Sequence, residues 1–465
     1  MSTTEIIPSG QNKIGADVDG FSKSLESYLK SLGLPAKNVL VEIKERQIVI
    51  ANMPFIIESL DPSIMEEAYY ISKFIASCGV GLFDAALNYL WNETIVNLRQ
   101  KIVLFDLDYF FNVLNKETYN SEEDLQKIED WELIKGCLKV GILSDIGFKH
   151  LDYIRDMRNF ASAAHPNNTE LTGLMLANWL QTCINEVLSK EPSSSALQIK
   201  KLLPSVRQET LTESDSRPII SNIERLPQDL ANSLLLALFG MYTNEDILPV
   251  VRNNIQYLAK ATWLKSDTKT KKAIGLRYSN FSANAQVVRK KFARDFLILV
   301  EGLAYLTEDQ RSIELRECLE ALINAHYGHN NFYNEEPHAK IIYNYIRDNY
   351  NIPENVRPLY VSSILTCKLG NSYGPSYSAE PYYDQMIDRF DETEIRELLR
   401  LLKDKEFTVI FQDNSRAFRF KNVVSKLADN LSNAILKQAL EKLKESSNTE
   451  LQNGRAYLNI KNLIE

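Results

Sequence analysis

One helical stretch, residues 153–166, carries side chains suited to phosphodiester chemistry: Arg158, Asn159 directly after it, and His165 closing the run before Pro166. Each residue of an α-helix advances by about 100°, so the seven-position step brings Arg158 and His165 to one face, about 10 Å apart along the axis. Arg155 and Ser162 fall near the same stripe. Proline disfavours helical backbone at the residue before it, so the helix is expected to end near His165, beside unpaired carbonyls that favour a protonated imidazolium. RNA cleavage without a metal needs a base for the 2′-OH proton, an acid for the leaving 5′-oxygen, and positive charge where the phosphorane gathers negative charge. His165 and Arg158 are residues of those types, and Asn159 can hydrogen-bond the phosphate.

The order Arg158, Asn159, five further residues and His165 resembles the nuclease motif of the HEPN family (higher eukaryote and prokaryote nucleotide-binding domains). In that family an Arg and a His separated by four to six residues sit on one helix of an all-α bundle, often with a polar residue after the Arg. Upstream, Ala85-Ala86-Leu87-Asn88-Tyr89-Leu90-Trp91-Asn92 looks like the long first helix of such bundles, and residues 171–188 continue the likeness downstream. The resemblance spans roughly residues 82–188. It implies a metal-independent endoribonuclease with Arg158, Asn159 and His165 as catalytic residues, no cofactor and no metal. Asn159 would then also be placed to hold the imidazole. Family members supply the second proton-transfer group by pairing two motifs across a dimer interface, and this chain has one such motif, so the resemblance implies a homodimer. RNA is the implied substrate, tRNA or another cellular RNA, in a toxin, stress or anti-phage defence role, with a protein partner or antitoxin held through the C-terminal domain. The alternative is a catalytically inactive helical scaffold that dimerises and binds a partner protein.

The net charge of −8 opposes a protein that coats nucleic acid by charge alone, but it leaves room for a local basic groove. Residues 265–294 carry nine basic side chains against the single acid Asp267, with Tyr278, Phe281 and Phe292 interleaved. That stretch is a candidate for backbone and stacking contacts to single-stranded RNA, or else a solvated helix face with its aromatics in the core. The tyrosines of residues 367–383 lie among Gly, Pro and Asn, which describes an ordered loop. They either glue the loop down or form a stacking platform. His326-Tyr327-Gly328-His329, with His338, Glu335 and Glu336 nearby, has the look of a helix end and loop, with no cysteine to complete a metal set. No phosphate-binding glycine loop or nucleophile elbow is present, which argues against a nucleotide triphosphatase or a serine hydrolase.

Positioning these residues requires mostly helix. The composition, 45% hydrophobic and 25% charged, is that of a globular chain, and 465 residues exceed one typical core. The fold class expected is mainly α: an HEPN-like helical bundle plus a helical C-terminal domain, with minor short β-hairpins. Residues 1–60 form an N-terminal extension with a short helix and a possible hairpin near residues 39–50. Residues 61–190 form the bundle, 191–228 a linker rich in breakers, and 229–465 the C-terminal domain, with a second short hairpin near residues 407–420. The five cysteines are odd in number and widely spaced, which fits reduced thiols. The opening residues lack a basic region followed by an apolar run, and no apolar run reaches bilayer length, so a cytoplasmic protein without a membrane partner is expected.

Overall fold

The computed structural model describes residues 11–161, 171–348 and 351–464. It is 77% helical, as the periodicity predicts. Among the described residues there is no strand, and the only β-like feature is an isolated antiparallel bridge between Asn371 and Gly374. Neither expected hairpin forms: residues 43–50 and most of 407–420 are helical. Near the N-terminus Val39 and Val41 lie in the segment before the helix, while Ile43, Ile48, Val49 and Ile50 belong to helix Ile43–Ile57, whose buried residues Arg46, Val49, Met53 and Ile56 repeat at helical spacing. Burial of that stripe against helix Gly173–Cys183 overrides local strand preference. Residues 405–430 hold helix Lys405–Thr408, a 3₁₀ turn Val409–Gln412 and helix Asn414–Asn430. Asp404 and Asp413, residue types that also serve turns, act as N-caps here, accepting from the Glu406 and Ser415 backbone N–H groups at 2.8 Å each.

The chain divides into two compact units, Met1–Met241 with Ile247–Ser266, and Tyr242–Asp246 with Asp267–Glu465. Helix Phe83–Phe105 is the centre of the first unit. Leu87, Leu90, Trp91, Leu98 and Ile102 along it are fully buried. It packs against helices Tyr69–Val80, Asp145–Ala161 and Gly173–Cys183. Helix Gly173–Cys183 meets helix Ile43–Ile57 so closely at its first turn that a Cβ on Gly173 would lie 2.2 Å from the Glu45 carbonyl oxygen. The Gly173 N–H donates to Glu45 Oε2 at 2.8 Å, so glycine is what permits this approach.

Residues 191–228, expected as a linker, hold helices Ser194–Gln208 and Glu213–Arg225 within the first unit. The Pro-Ser-Ser-Ser run that breaks the upstream pattern also starts the next helix, since Ser193 Oγ accepts from the Ala196 N–H at 3.2 Å. Thr212 and Asp215 form a reciprocal capping box on the following helix. Both helices pack against helix Pro249–Lys265. From that helix the buried Asn254 accepts from the Leu211 N–H at 3.0 Å and donates to the Val206 and Glu209 carbonyls at 2.9 and 2.6 Å.

In the second unit, helix Glu308–Tyr327 packs against helices Asn331–Ile346 and Arg357–Leu369, and helix Glu380–Ile387 packs against the latter two. Its interior is polar at specific points. Glu314, on the first of these helices, is 4% exposed and accepts hydrogen bonds from the hydroxyls of Tyr278 and Tyr345, from Gln310 and from Arg294.

Candidate active site

Helix Asp145–Ala161 begins at Ser144, whose Oγ accepts from the Gly147 N–H at 3.0 Å. Gly147, Leu151 and Ile154 form its buried stripe. Arg158 is the next member of that stripe one turn on, which is why a cation at this position turns toward helix Phe83–Phe105. Its Nε donates to Asn88 Oδ1 at 2.9 Å, and its Nη1 donates to Asn159 Oδ1 at 3.4 Å. Nη1 also lies 3.8 Å from Asp130 Oδ2, the oxygen that accepts from the indole Nε1 of the fully buried Trp91 at 2.6 Å. The guanidinium is thus held by a side chain one turn from Trp91 and by a carboxylate that Trp91 fixes. Its side chain keeps 29% of its surface open to solvent.

Of the candidate catalytic residues, Arg158 and the exposed Asn159 sit together on the last turn of this helix. His165, with Ser162 and Pro166, lies outside the described residues. Arg155 is paired with its neighbours Asp152 and Asp156 at 2.9 and 2.8 Å, so its charge is offset locally. Asn88 and Trp91 fall within the stretch that resembles the first bundle helix, and neither they nor Asp130 belong to the motif of residues 158–165. The available signal was Trp91 itself, because an indole N–H in an apolar helical stripe needs a polar partner.

The basic stretch resolves into core and surface. Tyr278 and Phe281 are buried, with Arg289 over the Phe281 ring at 4.4 Å and Lys290 over the Tyr278 ring at 5.4 Å. Arg294 pairs with Glu314 at 3.3 Å. Those two rings are core, and base stacking on them is closed off. In the tyrosine-rich loop the residues divide: Tyr373 and Tyr377 stand exposed, whereas Tyr383 is buried.

Tyr383 belongs to a second constellation. His326, Glu335 and Cys367 are each 0% exposed, and a ring nitrogen, a carboxylate oxygen and the sulfur lie within 4.8 Å of one another. They come from the C-terminal turn of helix Glu308–Tyr327, from helix Asn331–Ile346 and from helix Arg357–Leu369. His326 Nδ1 is 2.8 Å from Glu335 Oε1, Asn331 Nδ2 donates to the same oxygen at 3.0 Å, and the Tyr383 hydroxyl donates to Oε2 at 2.8 Å. Burial pushes both the Cys367 thiol and the Tyr383 hydroxyl well above their ordinary pKa values, with the Glu335 charge adding to the thiol and Cys367 and Glu335 adding to the hydroxyl. His329 is exposed and His338 half-buried, and neither belongs to the group. A cysteine distant in sequence therefore joins His326 and Glu335, contrary to the expectation that none would. Compared with known proteins, no family model matches the chain, and no curated protein or solved structure matches it either.

Proposed function

We propose that the chain is a metal-independent endoribonuclease of HEPN type, a cytoplasmic homodimer that cuts tRNA or another cellular RNA in a toxin, stress or anti-phage defence role. The observation that carries this reading is the fixed yet partly open guanidinium of Arg158, with Asn159 beside it at the end of a bundle helix. In the proposed reaction a base removes the 2′-OH proton and the 2′-oxygen attacks the adjacent phosphorus. Arg158 offsets charge on the phosphorane, and the P–O5′ bond breaks as an acid returns a proton to the leaving oxygen. The products are a 2′,3′-cyclic phosphate and a 5′-OH. His165 supplies one proton transfer and the second copy of the chain the other. A protein partner or antitoxin held through the second unit is the natural restraint on such an activity.

A second reading has its own support, because Asn88 and Asp130 engage Arg158 as they would a purely structural cation. In that case the chain is a helical scaffold that dimerises and binds a partner protein.

Incubating the purified chain with total RNA in a chelator, and mapping the ends, separates the two. The enzyme leaves cyclic phosphate ends, loses at least about 100-fold in rate with His165→Ala, and loses on the order of 100- to 1,000-fold with Arg158→Ala at unchanged helicity. A cleavage rate within about tenfold of wild type in His165→Ala would rule that residue out as acid or base.

A further inference from the structure

Three buried carboxylates of the second unit invite comparison. Glu314 has the guanidinium of Arg294 at 3.3 Å, and Glu394 has that of Arg357 at 2.9 Å. Glu335, at 0% exposure, has neither Arg nor Lys, and among the described residues its one ionic partner is His326. A carboxylate taken fully out of water requires a compensating positive charge or a proton. What surrounds Glu335 in place of an arginine is an imidazole and a thiol, both of them metal ligands. The imidazole retains an unused group as well, since His326 Nε2 is buried without a hydrogen-bond partner among the described residues.

We propose that His326, Glu335 and Cys367 bind a divalent cation of the zinc class as a structural site inside the second unit. The donor set of one sulfur, one nitrogen and one carboxylate oxygen is borderline in softness, which suits zinc and disfavours magnesium or calcium. Charge closes as well: on binding, the thiol proton of Cys367 leaves to solvent, and thiolate plus carboxylate offset the two charges of the ion. The atoms already lie within 4.8 Å of one another, whereas ligands on a tetrahedral zinc sit roughly 3.3–3.6 Å apart, so binding requires the widest separation to close by up to about 1.5 Å. The supporting hydrogen bonds are in place, with Asn331 and Tyr383 on the carboxylate and Asn371 Nδ2 donating to the His326 carbonyl at 2.6 Å. The Tyr383 hydroxyl donates to Glu335 Oε2 at 2.8 Å, which fixes the carboxylate beside the other two ligands. The ion would pin three helices and the start of a fourth to one point.

The full chain, incubated with zinc and passed through gel filtration, is expected to retain about one zinc per chain and to melt at a higher temperature than the chelated protein. The cobalt form is expected to show a thiolate-to-metal charge-transfer band in the near ultraviolet. His326→Ala and Cys367→Ser should lose both the bound metal and the band, whereas Cys318→Ser keeps them. Absence of retained metal from the wild-type chain, or a band that survives Cys367→Ser, overturns the proposal. If Cys367→Ser fails to fold, the wild-type cobalt spectrum still decides, because a site without a thiolate gives no such band.

Discussion

At the level of single residues, the recurrent theme is a cation or carboxylate whose charge is settled by a partner remote in sequence. Arg294 shows what this means for a residue that sequence alone assigns to RNA. Its guanidinium pairs with the 4%-exposed Glu314, so Arg294→Gln leaves that acid with tyrosine and glutamine donors only. The expected cost is about 1–3 kcal/mol, below that of breaking a fully buried pair because Arg294 itself is partly exposed. The exposed Lys291, three positions earlier, should tolerate Gln within about 0.5 kcal/mol. Chemical denaturation of the two variants measures both values, and equal stabilities would show that Arg294 is a surface charge like its neighbour. Residue types and spacing made Arg158 and Asn159 legible, because the motif is local. Asn88, Asp130 and Cys367 were not legible in any role, since each meets its partner only after helices pack. No short spacing ties Cys367 to His326.

Among elements, helix existence was legible and strand propensity misled. Residues 39–50 alternate well enough to suggest a hairpin, yet Arg46, Val49, Met53 and Ile56 make a helical stripe once a neighbouring helix is present to cover it. The same competition explains why residues 191–228 look like a linker. Ser193 and Thr212 are turn-forming residues in isolation and N-caps in context. Close helix contact gives the sharpest test at this scale. Gly173→Ala places a Cβ 2.2 Å from a backbone oxygen that cannot rotate away, so a destabilisation of about 3 kcal/mol is expected, lowering the thermal midpoint by roughly 6–12 °C. Gly20→Ala, also helical but with nothing within 4 Å, should be neutral or stabilise by about 0.5–1 kcal/mol. Circular dichroism melts should show the Gly173→Ala midpoint fall while the Gly20→Ala midpoint stays or rises. A Gly173→Ala protein with the wild-type midpoint would mean that the two helices separate at no cost.

Over the whole molecule, the chain enters the second unit at Tyr242–Asp246, returns to the first through Ile247–Ser266, and leaves again. A fragment ending at residue 266 is therefore expected to melt cooperatively. One ending at residue 228 lacks Asn254 and strands the backbone groups of Val206, Glu209 and Leu211 that it satisfies. It should be sensitive to protease and lack a cooperative transition. Matching melts for the two fragments would show that helices Gln228–Thr243 and Pro249–Lys265 are dispensable. The return also bears on how the protein is made. On the ribosome, helices Ser194–Gln208 and Glu213–Arg225 emerge before the helix that covers them. At 5–20 residues per second, the ~40 residues between Arg225 and Ser266 take roughly 2–8 s to synthesise. For that interval a nascent chain displays an uncovered apolar face, which makes this stretch the natural point for a chaperone to engage and for a translational pause to cause misfolding.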